Sequence, residues 1–295
     1  PIKLIGELRR GLIINQGPGC ILEFRSNKGA PISVINSGLE SWQEVSPKKT
    51  GRDPNIITSA RLAEILKTKW KEIFDTDQEI FINYFRVPPV SDDKKAPNST
   101  VSHREMGFNV IPTFRFPNYL YCKNCKDLKD NRVDRWDQDE NDASLYCPKC
   151  SNEVEKEYVI AHRFVIACEN GHISDFPWKE WLSHFGGNSD CDHSRLSIRG
   201  DSPSMGSGGQ SIYCHDCGTS ASLKNAFDNS VFKEMNFKCP SDTPWHGPNE
   251  KDKNRCNLYP RTVLKNSSSQ YFPVTESIID IPPWTNDSLE KWNLE

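Results

Sequence analysis

Two C-x-x-C pairs, Cys122-Lys123-Asn124-Cys125 and Cys147-Pro148-Lys149-Cys150, lie 21 residues apart, and this spacing restricts the fold of the chain more than any other feature. Tetrahedral Zn²⁺ takes four ligands, with zinc–sulfur bonds of about 2.3 Å. One C-x-x-C turn aims two thiolates at a single ion, and a second turn completes the shell. An aromatic residue, Tyr121 or Tyr146, precedes each first cysteine, as expected where a strand runs into the turn. Four cysteines leave no open coordination position, so this ribbon is expected to hold structure and to do no chemistry.

The chain has 11 cysteines and 7 histidines. An odd cysteine count built around C-x-x-C pairs argues for metal over disulfides, and for a reducing compartment, the cytoplasm. The second half carries eight further candidate ligands: Cys168-x3-His172, Cys191-x-His193, Cys214-x2-Cys217, and the isolated Cys239 and Cys256. Eight ligands make two sites, so the expectation is two to three zinc ions per chain. Two partitions are open. Either Cys214, Cys217, Cys239 and Cys256 form an all-cysteine site, with Cys168, His172, Cys191 and His193 as a mixed one, or the Cys168/His172 knuckle faces the Cys214/Cys217 knuckle. His193 is the weakest of these ligands, with His184 a substitute and His246 a remoter one. His172 and Asp175 read better as a ligand held by a carboxylate than as an acid/base pair, because metal-bound imidazoles usually donate their other N–H to such a group. Cys20, in an apolar stretch, reads as a buried hydrophobe.

The formal net charge of -3 does not describe a strongly basic nucleic-acid binder, although a local basic stripe is compatible with it. No apolar run reaches the 18 residues of a membrane span, and the first residues lack the apolar core of a signal peptide. Along the chain, Gly17-Pro18-Gly19 reads as a tight turn before a strand at Cys20-Ile21-Leu22, after an earlier strand at Ile13-Ile14. Leu62, Ile65, Leu66, Trp70, Ile73 and Phe74 fall at helical spacing after Thr58, which reads as the N-cap. Lys67, Lys69 and Lys71 lie on the polar side as a solvated face. Residues 86–100 read as a linker, Lys126 to Asp142 as an exposed charged loop, 158–167 as one buried strand, and Ser202 to Gly209 as a flexible loop. The fold class expected is α+β, with short strands and a few helices around zinc modules. Three segments are expected: an N-terminal α+β domain over 1–105, the four-cysteine ribbon over 106–160, and a second zinc-binding module with a C-terminal extension over 161–295.

Complete catalytic motifs are missing. His103-Arg104-Glu105 matches half of a deaminase signature, but no P-C-x-x-C follows. The H-E-x-x-H of zincins, the G-x-S-x-G elbow and the Walker phosphate loop are absent from the sequence.

Three stretches together resemble a known family. They are Gly6-Glu7-Leu8-Arg9-Arg10 running into Gly17-Pro18-Gly19, Phe114-Arg115-Phe116-Pro117 before the first knuckle, and the run Arg163-Phe164-Val165-Ile166-Ala167-Cys168-Glu169-Asn170-Gly171-His172-Ile173-Ser174-Asp175-Phe176-Pro177-Trp178. Cys214, Cys217, Cys239, Pro244-Trp245, Cys256, Tyr271-Phe272-Pro273, Ser277 and Ile281-Pro282 continue in the same order. The chain resembles the DrmB-like accessory subunits of the DISARM bacterial anti-phage system. Members of that family are usually about twice as long, so a C-terminal half encoded separately, a short homologue or a fragment is expected. The resemblance implies a non-catalytic subunit, bound to a superfamily-2 helicase of the DrmA type, which engages DNA through the complex. Two other readings stand beside it. One is a protein-interaction scaffold without DNA contact, in which Trp178, Trp181 or Trp245 anchors an interface if it is not core. The other is a metal-dependent hydrolase or nuclease using an open zinc position near Cys168, His172 and Cys191.

Overall fold

The computed structural model describes residues 16–26, 28–44, 56–86, 113–140, 143–200, 209–267, 270–271 and 274–278. The strand expected at Ile13-Ile14, His103, most of the 86–100 linker and most of the Ser202 to Gly209 loop lie outside them. The fold is α+β, with many short strands and few helices. Two compact units divide the chain: Pro1–Ser46 with Pro89–Pro273, and Pro47–Pro88 with Val274–Glu295.

In the larger unit, β1 (Ile21–Arg25) and β2 (Pro31–Asn36) pair antiparallel with Leu22 opposite Val34. The Gly17-Pro18-Gly19 segment turns the chain into β1: Cys20 N–H donates to the Gly17 carbonyl at 3.1 Å, and Gly19 sits at φ +80, where a side chain is strained. Strand β5 (Thr113–Arg115) adds to β2. A short helix, α1 (Leu39–Glu44), follows β2. A six-stranded sheet then runs in the order β10-β6-β7-β13-β14-β15. Its members are β6 (Tyr119–Tyr121), β7 (Asp127–Asp130), β10 (Ile160–Ala161), β13 (Leu196–Arg199), β14 (Ser211–Cys214) and β15 (Ser220–Ser222). It therefore joins strands from the ribbon segment 106–160 with strands from 161–295. A third sheet has the order β12-β11-β16, from β11 (Phe164–Ala167), β12 (Ile173–Asp175) and β16 (Arg261–Leu264).

Two sequence readings need correction here. The stretch 158–167 is not one strand: β10 pairs with β6, and β11 pairs in a different sheet with β12 and β16. His162 and Arg163 take the chain from one sheet to the other, a change of partner that a continuous apolar run does not reveal. The charged segment Lys126 to Asp142 is not merely an exposed loop. It supplies β7 and β8 (Asp137–Gln138), the latter paired with β9 (Leu145–Tyr146), and it buries Leu128 and Trp136. Leu128 and Trp136 anchor it, beside the ion pairs Lys28–Asp139, Lys129–Asp134 and Arg132–Asp130.

The main core lies between the six-stranded sheet and α3 (Trp178–Gly186). Trp178, Trp181 and Leu182 follow i, i+3, i+4 spacing, share one face of that helix and are fully buried. Phe164, Phe176, Ile198, Ile212, Leu223 and Phe232 fill the same core, Phe232 coming from the short α4 (Val231–Glu234). Trp181 Nε1–H donates to the Ser222 carbonyl at 3.1 Å, which ties the helix to the sheet edge. Trp178 and Trp181 are thus core and are not available as interface anchors; Trp245 is partly buried against a smaller cluster around Ile35 and Phe116. Replacing Trp178 with alanine leaves a cavity that this core cannot refill, and it is expected to cost about 3–5 kcal/mol in chemical denaturation of the metal-loaded protein.

His162 sits inside this packing. Its Nδ1 accepts the Phe164 backbone N–H at 3.2 Å, and its ring meets Phe164 and Trp178 edge-on at 4.8 and 4.5 Å between centroids. Burial, reinforced by the charges of Arg163 and Lys265, pushes the imidazole down to about 3. The unfolded chain takes up this proton as the pH falls through about 6.5, whereas the folded chain resists until about 3. Between those values the unfolded state binds more protons, so stability is complete above that window and is lost as the pH falls through it. The His162→Gln variant keeps an acceptor and is expected to flatten the loss of melting temperature between pH 7 and 5. An unchanged slope would assign the acid sensitivity to other groups.

In the smaller unit, β3 (Ile56–Ile57) pairs with β4 (Phe85–Arg86) around α2 (Ala60–Phe74). Ser59, not Thr58, caps the helix: its side chain accepts the Leu62 N–H at 3.3 Å. Both hydroxyls are sterically able to cap, and only the backbone path selects between them. Lys69 pairs with Glu276, and Lys67 approaches Glu64 at 3.9 Å. Among the described residues, no helix is long and apolar enough to cross a membrane.

Candidate metal centres

Three of the knuckles are the tips of β-hairpins. Cys122 and Cys125 occupy the turn between β6 and β7, Cys168 and His172 the turn between β11 and β12, and Cys214 and Cys217 the turn between β14 and β15. Each turn is closed by a backbone bond and a residue at positive φ. Lys126 N–H donates to the Cys122 carbonyl with Lys126 at φ 64, and Gly218 N–H donates to the Cys214 carbonyl with Gly218 at φ +75.

The structure brings the twelve candidate side chains together in three groups of four: Cys122, Cys125, Cys147 and Cys150; Cys168, His172, Cys239 and Cys256; and Cys191, His193, Cys214 and Cys217. Within each group the ligand atoms all lie within 4.8 Å of one another. Zinc–sulfur bonds of about 2.3 Å at tetrahedral angles set sulfurs roughly 3.8 Å apart. The Sγ–Sγ separations of Cys125–Cys147, Cys191–Cys214 and Cys168–Cys256 are 3.7, 3.9 and 4.0 Å. All are far beyond the roughly 2.0 Å of a disulfide, and none of the 11 cysteines is joined in a disulfide. The spacing and the soft donor set both fit a tetrahedral ion.

The second and third groups follow neither partition open to the sequence. Cys239 and Cys256 join the Cys168/His172 hairpin, while Cys191 and His193 join the Cys214/Cys217 hairpin. The reason is topological. Strand β16 follows Cys256 and pairs with β11, which runs into Cys168, and β13 follows His193 and pairs with β14, which ends at Cys214. Sheet pairing thus selects the partners. His193, the weakest sequence candidate, is fully buried with Nδ1 3.7 Å from Cys217 Sγ. His184 packs against Phe185 and His246 approaches Glu40 at 3.7 Å, both outside the groups. Cys20 is buried apart from them.

Both histidines aim Nδ1 at the group and spend Nε2 elsewhere. His193 Nε2–H donates to the Asn188 carbonyl at 3.0 Å. His172 Nε2 lies 3.2 Å from Asp252 Oδ2, with Nδ1 3.4 Å from Cys168 Sγ. The carboxylate behind His172 is therefore Asp252, not the expected Asp175, which instead accepts the Asn118 backbone N–H at 2.7 Å and its side-chain amide at 3.0 Å. Three residues from His172 along a strand, Asp175 is directed away; Asp252 arrives from 80 positions later, and no local signal marks it. Losing such a partner typically weakens metal affinity 10–100-fold. Asp252→Asn is accordingly expected to lower affinity at this centre alone by that factor, as read by competition with a chromophoric chelator.

Backbone N–H groups serve the sulfurs. Asn124, His193, Asp216 and Ser241 donate to Cys122, Cys191, Cys214 and Cys239 at 3.4, 3.4, 3.3 and 3.4 Å. Asn170 Nδ2 adds a bond to Cys256 at 3.5 Å. Without a cation, four clustered thiols cannot all ionise, and the group splits. Burial pushes Cys239 up to about 12 and Cys214 up to about 11. Cys217 is held down to about 6 by the Thr219 hydroxyl 3.2 Å away. Cys256, despite burial, is lowered to about 7 by the Leu258 N–H and its neighbours. A divalent ion lets all the thiolates coexist.

A family model described as a domain of unknown function (DUF8724) matches residues 9–272, a span that contains all three groups. The chain belongs to this family. It is also similar to the DISARM protein DrmB of Bacillus paralicheniformis, at 33% identity over 221 residues. The match covers 72% of this chain but 34% of that relative, so the chain spans about a third of the relative's length.

Proposed function

We propose that this chain is a zinc-stabilised, non-catalytic accessory subunit of a DISARM-type anti-phage defence complex in the cytoplasm, docking on a superfamily-2 helicase of the DrmA type and assisting its hold on DNA. The observation that carries the reading is the similarity to the DISARM protein DrmB over 72% of a chain that holds three four-donor groups. Four protein donors per group leave a tetrahedral ion no open position, which supports a structural role for the metal and counts against a hydrolase or nuclease. The zinc assignment rests on the donor sets, one of four cysteines and two of three cysteines with one histidine, which suit Zn²⁺ in structural sites.

The test is co-expression with a superfamily-2 helicase subunit of a DISARM system. A stable complex whose DNA affinity exceeds that of the helicase alone is expected. A chain that elutes alone and leaves the helicase unchanged overturns the reading. The net charge of -3 favours weak DNA binding by the isolated chain, since affinity comes largely from neutralised phosphates. A complex that forms without any gain in DNA affinity therefore points to the pure scaffold.

A further inference from the structure

A cavity of about 290 Å³ in the larger unit lies outside the three metal groups. Arg115, Arg132 and Arg135 line it together with Asn118, Asn131 and Gln138, and among the described residues no carboxylate does. The three guanidinium groups reach it from different elements: Arg115 ends β5, and Arg132 and Arg135 belong to the loop between β7 and β8.

Their circumstances differ in a way that suits an incoming anion. Arg115 is largely withdrawn from water, and burial pushes its guanidinium below the usual arginine value. Its Nη2 donates to the Ala143 carbonyl at 2.6 Å, yet among the described residues it has no acidic partner. Arginine keeps its proton in proteins, so this desolvated charge is costly unless something negative meets it. Arg132 is already clamped: Nε and Nη2 donate to the Asp130 carboxylate at 2.9 and 2.7 Å, and Nη2 lies 3.5 Å from Asp175. Asp175 is itself held by Asn118, which also lines the cavity. Arg135 is exposed and makes no ion pair among the described residues. Arg132 is thus paired with Asp130 and Asp175, whereas Arg115 and Arg135 make no ion pair among the described residues and are left to meet an incoming anion. Trp136, also in the lining, is buried, and its indole N–H has no partner among the described residues.

The cavity is near the lower end of the ~300–1,000 Å³ typical of small-molecule sites, which is larger than a bare inorganic anion needs. Its remaining wall is apolar, from Phe114, Trp136, Leu145 and Pro248, with Lys129 Nζ 4.8 Å from the Trp136 ring centre. Planar guanidinium forks match phosphate oxygens, and aromatic walls suit a sugar or base. We propose that this cavity binds the phosphate of a nucleotide unit, with Arg115 and Arg135 as its principal contacts and the sugar or base against the apolar wall. The phosphate has two possible sources, a free nucleotide or a single-stranded nucleic-acid backbone. Neither requires the helicase.

The experiment uses the purified, zinc-loaded chain. Thymidine 5′-monophosphate is titrated calorimetrically beside thymidine, and a fluorescently labelled twelve-nucleotide oligothymidylate is followed by anisotropy at several salt concentrations. The monophosphate is expected to bind and thymidine not to. Arg135→Gln, an exposed change that leaves the fold intact, is expected to weaken binding about tenfold, and Arg115→Met at least as much. Should Arg115→Met fail to fold, as read by circular dichroism, Arg135→Gln carries the test. If the source is a strand, the oligonucleotide binds more tightly, the monophosphate displaces it, and Arg135→Gln lowers the slope of log affinity against log salt by about one. If the source is a free nucleotide, the oligonucleotide does not compete. Equal binding of thymidine and its monophosphate, no binding of either phosphate probe, or unchanged binding by both variants overturns the proposal. A chain that joins its helicase yet gives one of those results overturns this site alone and leaves the proposed function standing.

Discussion

Elemental analysis of the purified chain is expected to return three zinc ions, and stripping them is expected to abolish the cooperative melting transition of the larger unit. Structural zinc binds with apparent free energies of about 10–16 kcal/mol near pH 7, whereas a whole domain is typically stable by only about 5–15 kcal/mol. Loss of a single ion therefore consumes most of what holds such a unit together. Each centre ties together hairpins and loops that the apolar cores alone do not clamp. The Cys168 centre reaches 88 residues along the chain to Cys256. Thiol-selective titration with a colorimetric zinc indicator should show release in parallel with the loss of near-ultraviolet circular dichroism. A metal-free chain with a cooperative melt within a few degrees of the loaded one would sink the structural reading of all three centres. One zinc per chain would confine it to the ribbon of Cys122, Cys125, Cys147 and Cys150.

The second large effect concerns the grouping. Cys168→Ala and Cys239→Ala are each expected to lose one zinc and to leave two, and the double variant also to leave two, because both residues serve one centre. Cys168→Ala combined with Cys191→Ala is expected to leave one. Stability follows the same rule: residues sharing a centre are strongly non-additive, while residues of separate centres add. If Cys239→Ala with Cys214→Ala still leaves two ions, those cysteines share a centre and the sheet-based grouping is wrong. The stoichiometry is counted by plasma emission spectroscopy after size-exclusion chromatography, so that misfolded material does not enter the ratio.

The extent to which the sequence was legible follows from distance along the chain. The turn at Gly17-Pro18-Gly19, the helix over Ala60–Phe74 and the C-x-x-C hairpin tips are set by neighbours within a few residues, and local chemistry finds them. The helix cap missed by one position because Thr58 and Ser59 have equivalent hydroxyls. Asp252 behind His172 and Asn188 behind His193 had no signal, since nothing local distinguishes either from other polar loop residues. The cavity of Arg115, Arg132 and Arg135 was hidden for a related reason. Its charges sit in a run that reads as a mixed, solvated loop, and only the burial of Trp136 folds that run against β5.

By itself, then, the sequence marked the chain as rich in metal-type knuckles, set Cys122, Cys125, Cys147 and Cys150 together as one expected group, and offered eight further candidates for two more. Two adjacent knuckles of identical form leave little choice of partner, so spacing suffices there. The tertiary structure alone decided how those eight divide. Cys168, His172, Cys214 and Cys217 are each held at a hairpin tip, but their partners arrive from loops whose positions depend on which strands pair. Antiparallel pairing of β16 with β11 and of β13 with β14 carries Cys256 to one tip and His193 to the other. Those pairings are won by burying Phe164, Val165, Leu196, Ile198 and Ile212 in their sheets, a packing free energy spread over the whole unit and invisible in any single ligand's surroundings.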